Sequence, residues 1–236
     1  MSQIYLRMSG YVATLALHIT NGLYMTSFHQ GEIMEIPEIR AYIGIQYRFI
    51  TCWTFLFQII YAFIGLACDS MTLINSSNMK YKLPHVLRET RDTLFNAIIL
   101  PSSIVIAALF WPFYLYDISL VYPDFIWRVI TPLSNYIIHA AIVPIVVWEI
   151  VFRPQKEPES HARPITILTV YTLLFYTYYE QDIWIYPIFK YIEGTIYVPL
   201  LIYYTCILVA VIYKMQWLII RRLHPVKVTE VNKKIK

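Results

Sequence analysis

The chain has 236 residues, of which 58% are hydrophobic and only 14% are charged, with a formal net charge of +4. Together with a mean hydropathy of +0.52, this composition excludes an ordinary soluble domain, which would expose large apolar patches to water. It predicts an integral, multi-pass membrane protein of the all-α class, because backbone amides in hydrocarbon must be satisfied within each helix. The small positive charge does not indicate a nucleic-acid partner.

Six apolar runs of about 20 residues predict a polytopic transmembrane helical bundle. In chain order they lie near residues 9–28, 42–68, 93–116, 129–152, 165–188 and 196–219. The fifth run is the weakest, since Glu180, Gln181 and Asp182 interrupt it. We expect a single transmembrane domain over residues 1–220, followed by a basic tail over residues 221–236.

The distribution of basic residues predicts the orientation of the bundle. Most of the 19 lysines and arginines fall before the first run, between the second and third, between the fourth and fifth, and in the tail. Because cytoplasmic loops carry this excess, both termini should be cytoplasmic. The pattern Asn75-Ser76-Ser77 matches a glycosylation acceptor, but it lies in a loop predicted to be cytoplasmic and should stay unmodified.

The familiar motifs of soluble enzymes, such as G-x-S-x-G and H-E-x-x-H, are absent from the sequence. The three cysteines show neither metal-ligand spacing nor a disulfide framework, so we expect no metal and no organic cofactor. Any chemistry must therefore use polar groups inside the spans, which are the first place to look for function in a membrane protein.

Two such groups, Thr51 and His139, have matching predicted depths. Each lies about nine or ten residues from the outer end of its predicted span, or roughly 14–15 Å at 1.5 Å per residue. A hydroxyl and an imidazole are the minimum parts of a nucleophile and general-base pair. Other roles are open: a threonine in a membrane helix usually bonds a carbonyl one turn back, and a buried histidine often bonds a neighbouring helix.

Four further residues are candidate supporting groups in the outer half of the bundle. Asn135, one turn before the histidine, is placed to orient its ring. Arg48 is placed to meet a carboxylate or developing negative charge, while Asp117 and Glu180 are carboxylates that would support the histidine. Each residue also has an ordinary alternative role. Asn135 would form a hydrogen bond between helices, and the Arg48 side chain would extend to the membrane–water interface. Asp117 and Glu180 would be solvated carboxylates at the ends of spans.

An ordered set of short motifs runs through nearly the whole chain and resembles one known family. The set consists of Tyr47-Arg48-Phe49-Ile50-Thr51 with Gln58, Arg91-Asp92 with Leu94-Phe95 and Pro101, Phe110-Trp111 with Tyr114 and Tyr116-Asp117, Tyr122-Pro123, Asn135 with His139, Pro144 and Glu149, Arg153-Pro154, and Trp184 with Tyr186-Pro187. It resembles the family of androgen-induced gene 1 protein and androgen-dependent TFPI-regulating protein, the FAR-17a family.

The resemblance implies a multi-pass threonine hydrolase that cleaves fatty acid esters of hydroxy fatty acids. The nucleophile and its partner would be Thr51 and His139, and the expected partners are a lipid ester substrate and membrane lipid. The membrane would be that of the endoplasmic reticulum or the plasma membrane. Relatives typically carry a second histidine after the asparagine and a threonine after the catalytic histidine, where this chain has Tyr136 and Ala140.

Two functions of other classes remain open at this stage. One is a non-catalytic membrane regulator that keeps the family fold for partner binding. The other is a haem protein with His18 and His139 as axial ligands, which would show a Soret band.

Overall fold

The computed structural model describes residues 2–174, 179–180 and 183–225. The helices are α1 (Ser2–Ser27), α2 (Pro37–Gly44), α3 (Ile50–Ile74), α4 (His85–Leu94), α5 (Leu100–Tyr116), α6 (Pro132–Tyr136), α7 (Ile142–Phe152), α8 (Ala162–Leu174), α9 (Ile188–Ile192) and α10 (Tyr197–Leu223). π-helical turns at Phe95–Ile99 and Ile137–Ala141 join α4 to α5 and α6 to α7. Short 3-10 turns lie at Gly31–Glu35, Gln46–Arg48, Ile118–Leu120 and Asp124–Arg128.

Four helices in the described part of the chain are long and apolar enough to cross a membrane. They are Ile50–Ile74, His85–Tyr116, Pro132–Phe152 and Tyr197–Leu223. Helix α1 has a span's length with 26 residues but is less apolar than these four helices. Helix α8 is described only as far as Leu174. The protein is therefore an integral membrane protein built from helices, and the predicted count of six spans remains a prediction.

The second predicted span is not one helix from residue 42. Helix α2 ends at Gly44, a residue type common at helix ends, and a 3-10 turn follows before α3 begins at Ile50. Phe49 caps α3 in an extended conformation, with φ −83° and ψ 122°. Thr51 therefore lies in the first turn of a span and not nine residues inside it, which corrects the depth expected from the sequence.

The fifth predicted span does not continue as a helix to residue 188. After α8 and the undescribed residues 175–178, two antiparallel strands of two residues each pair, β1 (Tyr179–Glu180) and β2 (Ile183–Trp184). Of the polar residues noted in this run, Glu180 lies in the extended backbone of β1, and Gln181 and Asp182 lie outside the described residues. At the other end of the domain, α10 continues to Leu223, and the predicted basic tail beyond residue 225 lies outside the described residues.

Two prolines account for the positions of the π-helical turns. Proline has no amide hydrogen and its ring clashes with the carbonyl four residues earlier. For Pro101 that residue is Ala97 and for Pro144 it is Ala140, and both alanines lie in the π turns. The wider turns accommodate the prolines within helices that otherwise continue unbroken.

Helices α1, α3, α4 and α7 meet in a buried ionic network at one end of the bundle. Asp69 on α3 accepts from Arg7 at 2.7 Å and from Arg91 at 3.0 Å. Glu149 on α7 lies 3.5 Å from Arg91 and 3.4 Å from Arg153. Arg7 lies before the first predicted span, Arg91 between the second and third, and Arg153 between the fourth and fifth. The network therefore places these three segments at the same end of the bundle, as their excess of basic residues predicts.

Candidate active site

A cavity of about 240 Å³ lies near the start of α3, at the end of the bundle away from the ionic network. Most of its lining is apolar, and the polar side chains among the described lining residues are Tyr42, Gln46, Thr51, Cys52, Tyr122, His139, Thr172, Tyr186 and Thr205. The sequence predicted that Thr51 and His139 share one part of the bundle, and both face this cavity. Their catalytic roles remain a prediction.

The Thr51 hydroxyl is not used in the way that is usual for a threonine in a membrane helix. The hydroxyls of Thr14, Thr72, Thr172 and Thr205 each donate to the carbonyl four residues earlier at 2.8 Å. The Thr51 hydroxyl makes no hydrogen bond to any described residue. Because Thr51 sits in the first turn of α3, no α-helical turn precedes it, and the Tyr47 carbonyl four residues earlier accepts from the Trp53 indole instead.

The start of α3 also presents an unpaired backbone donor. The first amides of a helix have no partner within it, and the helix dipole adds partial positive charge there. Among these, the Cys52 amide is occupied by the Phe49 carbonyl at 3.1 Å. The Ile50 amide donates to the Tyr186 hydroxyl, whereas the Thr51 amide has no backbone partner within the described chain. Thr51 thus combines a free hydroxyl with a local site for negative charge.

His139 lies in the second π turn and is held by Asn135. Its Nδ1 atom donates to the Asn135 side-chain oxygen at 2.9 Å and to the Asn135 backbone carbonyl at 3.2 Å. A carbonyl oxygen only accepts, so Nδ1 carries the proton of the neutral ring. Nε2 is therefore the unprotonated nitrogen, the form required of a general base.

Aromatic side chains fix the plane of the imidazole. The Phe110 ring stacks on His139 with centroids 3.6 Å apart and planes 6° apart. The Trp111 indole donates to the His139 carbonyl at 3.1 Å, which ties the π turn to α5. With His139 only 6% exposed, the ring has one orientation.

Tyr122 completes this arrangement from the loop between α5 and α6. Its hydroxyl donates to the Asn135 side-chain oxygen at 2.7 Å. Burial raises the pKa of the Tyr122 hydroxyl well above its ordinary value, so the side chain stays a neutral donor. Sequence analysis identified Tyr122 only as part of a family motif, because nothing in its spacing links a loop residue to His139.

The other predicted supporting residues, Arg48, Asp117 and Glu180, are not among the described residues that line the cavity. The Arg48 guanidinium lies over the Tyr47 ring, 4.8 Å from its centroid, and does not line the cavity. Asp117 is exposed and caps the turn after α5 by accepting from the Ser119 amide at 2.9 Å. Hydrogen bonds from the Ser119 hydroxyl and amide lower the Asp117 pKa. The Glu180 backbone lies in β1, and its side chain is outside the described residues.

The alternative of a haem held by His18 and His139 fits poorly. The Nε2 atom of His18 donates to the Gln58 side-chain oxygen at 2.7 Å, and its ring packs on Phe55. His18 is fully buried and does not line the cavity that His139 faces. An iron bound at the Nε2 atom of His18 would require the hydrogen bond to Gln58 to break.

Comparison with known proteins places the chain among membrane proteins of one family. The family model described as FAR-17a/AIG1-like protein matches residues 10–219. Human androgen-dependent TFPI-regulating protein is 30% identical over 166 residues, 68% of this chain and 69% of that protein. The Mesocricetus auratus protein of the same name is 29% identical, over 60% of this chain and 62% of the relative.

Human androgen-induced gene 1 protein is more distant. It is 20% identical over 167 residues, which cover 67% of this chain and 69% of that protein. No solved structure matches the chain. The family match covers most of the chain, including both cavity residues at positions 51 and 139. The chain therefore belongs to the FAR-17a/AIG1-like protein family.

Proposed function

We propose that the protein is an intramembrane threonine hydrolase that cleaves the ester bond of fatty acid esters of hydroxy fatty acids. Thr51 is the nucleophile and His139 is the general base. The reaction class comes from the family resemblance of the sequence. The observation that supports it most directly is that the unbonded Thr51 hydroxyl and the oriented His139 ring face one apolar cavity.

The first half of the reaction acylates the threonine. The Nε2 atom of His139 takes the hydroxyl proton of Thr51 as its oxygen attacks the ester carbonyl carbon. Negative charge develops on the former carbonyl oxygen, and the Thr51 amide in the first turn of α3 stabilises it. When the intermediate collapses, the ester bond to the hydroxy fatty acid breaks, and His139 returns its proton to the leaving oxygen.

The second half releases the acyl group. Water enters, His139 removes one of its protons, and the resulting hydroxide attacks the acyl-threonine carbonyl. Collapse of this second intermediate returns the proton to Thr51 and frees the fatty acid. The balanced reaction consumes one ester and one water and yields one fatty acid and one hydroxy fatty acid.

The cavity lining suits a substrate with alkyl chains. Phe49, Leu109, Ile138 and Phe189 are among the apolar side chains around Thr51 and His139, and a cavity of this kind binds chains by burying their apolar surface. A lipid ester reaches such a site laterally from the bilayer. Membrane lipid is therefore both the solvent of the protein and the source of its substrate.

A fluorophosphonate hydrolase probe tests the proposal in membranes carrying the full chain. Such a probe forms a covalent adduct with an activated hydroxyl, so we expect an adduct at Thr51 and loss of that adduct in Thr51→Ala. Thr72→Ala is the matched control, because Thr72 is also on α3 but donates to the Cys68 carbonyl at the opposite end. Absence of an adduct in folded wild-type protein would favour the non-catalytic regulator.

A further inference from the structure

The hydroxyl of Tyr186 lies beside the first turn of α3. Tyr186 follows β2 in the chain, and its side chain lines the same cavity as Thr51 and His139. Its oxygen accepts from the amide of Ile50, the residue directly before Thr51. Since consecutive Cα atoms are about 3.8 Å apart, this bond places the phenolic oxygen one residue away from the proposed nucleophile.

Two phenylalanine rings orient the Tyr186 ring. Phe49, the residue that caps α3, packs edge-on against it with ring centroids 5.7 Å apart and planes at 83°. The Phe189 ring of α9 lies 6.3 Å away at 60°. Both phenylalanines line the cavity as well. The contacts hold the Tyr186 ring so that its hydroxyl stays at the start of α3.

The Tyr186 hydroxyl has a hydrogen available to donate. A phenolic oxygen accepts through its lone pairs and donates through its single O–H bond. The bond from the Ile50 amide uses a lone pair, and the described residues include no acceptor for the Tyr186 hydrogen. The amide bond also polarises the hydroxyl, because hydrogen bonds in a chain strengthen one another. Tyr186 is therefore a polarised donor in the wall of the cavity.

The Thr51 amide is directed to the same end of α3. The amides of a first helical turn point toward the start of the helix and have no partner within it. The Ile50 amide is aimed at the Tyr186 oxygen, and the Thr51 amide is the next donor in this turn. An oxygen atom at this end of the helix can accept from the Thr51 amide and the Tyr186 hydroxyl together. Two such donors are the usual means of stabilising the oxyanion in acyl transfer.

We propose that Tyr186 is a catalytic residue whose hydroxyl forms the oxyanion hole together with the Thr51 amide. The inference rests on the proposed hydrolase function and adds the second donor to its active site. When the Thr51 oxygen bonds to the ester carbon, the π electron pair of the carbonyl moves onto its oxygen. Tyr186 donates a hydrogen bond to that oxygen and keeps its proton. When the intermediate collapses, the pair re-forms the carbonyl, and the alcohol oxygen leaves with the proton held by His139.

Tyr186→Phe tests the donor in membranes carrying equal amounts of each full-length variant. Removing one oxyanion donor typically lowers kcat by about 10²- to 10³-fold, so ester hydrolysis should slow by that order. KM should change much less, because the charged oxygen is absent from the bound substrate. Tyr171→Phe is the matched control. The Tyr171 hydroxyl also bonds to a residue of α3, Thr54 at 3.1 Å, but it does not line the cavity, so this variant should keep nearly the wild-type kcat.

A second variant separates the donor role from a purely structural one, in which the Tyr186 oxygen only accepts from Ile50. Difluorotyrosine incorporated at position 186 nearly keeps the shape of the side chain and lowers the pKa of the phenol. An ionised phenol has no hydrogen to donate, so the alkaline fall in kcat should begin at a lower pH than in the wild type. A phenolate still accepts from an amide, so a structural role predicts no such shift. This variant also decides the question if Tyr186→Phe does not fold.

The outcomes are distinct for the two proposals. Folded Tyr186→Phe protein with the wild-type kcat overturns the assignment of Tyr186, and so does a pH profile of kcat that difluorotyrosine leaves unchanged. Both results require wild-type protein that is active. A wild-type chain that neither hydrolyses the ester nor is labelled at Thr51 by a fluorophosphonate contradicts the proposed hydrolase function itself.

Discussion

The Nδ1 atom of His139 donates to the side-chain oxygen of Asn135, 2.9 Å away. This bond decides which ring nitrogen is protonated and turns Nε2 into the acceptor that a general base needs. The same oxygen accepts from Tyr122 at 2.7 Å. Asn135 is thus the residue through which the loop after α5 positions the imidazole.

Asn135→Ala should lower the rate of ester hydrolysis without removing the nucleophile. Loss of a buried hydrogen bond costs about 1–3 kcal/mol, which corresponds to roughly fivefold to 150-fold in rate if it falls on the transition state. Asn135→Asp keeps an oxygen acceptor for Nδ1 and should retain more activity than the alanine variant. Turnover per labelled Thr51 measures the effect, and equal turnover in both variants would exclude the positioning role.

Tyr122→Phe should reduce turnover less than the Asn135 substitution, because it removes one donor to the Asn135 oxygen and leaves the hydrogen bond between His139 and Asn135 in place.

The pH dependence of stability gives a second measurement on Tyr122→Phe. Burial raises the pKa of Tyr122, so the folded state keeps the proton where an exposed tyrosine with a pKa of about 10 would lose it. Its contribution to stability is therefore complete below pH of about 10 and is lost as the pH rises further. Tyr122→Phe should remove that part of the alkaline destabilisation, measured by thermal unfolding in detergent.

Part of this site follows from sequence and part does not. Thr51, His139 and Asn135 are found by asking which polar groups lie inside apolar runs. Gly44 in the sequence indicates a break before α3, and Pro144 indicates an irregular turn at His139. Neither residue predicts the direction in which the chain runs after it. Tyr122 and Tyr186 become informative only when helices are packed, because their partners lie many residues away in the chain.

The ionic network also depends on contacts between residues that lie far apart in the sequence. Arg7, Arg91 and Arg153 look like loop charges in the sequence, since each lies beside an apolar run. Arg91 and Arg153 are buried and Arg7 is partly buried against Asp69 and Glu149, which is a tertiary property. Counting basic residues therefore groups the segments at one end of the bundle but does not reveal that their charges are paired.

Glu149→Ala should strongly destabilise the fold. Glu149 is 3% exposed and accepts from Tyr11 at 2.7 Å as well as pairing with two arginines. Removing one partner of a buried ion pair leaves uncompensated charge and costs about 3–5 kcal/mol. The exposed pair of Lys156 and Glu159 is the control, since Glu159→Ala should change stability by less than about 1 kcal/mol. A Glu149→Ala melting temperature equal to that of the control would show that the network contributes little.

Asn75 tests the predicted orientation. It caps the end of α3 and donates to the Met71 carbonyl at 2.8 Å, on the same end of the bundle as the arginine network. If this end is cytoplasmic, as the basic loops predict, the Asn75-Ser76-Ser77 acceptor stays unmodified in cells. A glycosidase-sensitive mass shift that disappears in Asn75→Gln would place this end on the opposite side of the membrane.

Hydrolysis of a fatty acid ester of a hydroxy fatty acid shows whether Thr51 and His139 act as one unit. The assay compares membranes carrying equal amounts of wild-type, Thr51→Ala, His139→Ala and double-variant protein. General-base assistance contributes about 10² to 10⁴ in rate, so each single variant should fall by at least that order. The double variant should lose little more, because groups that act together are not additive. Thr51→Ser should keep part of the activity, and wild-type turnover by Thr51→Ala would contradict the assignment.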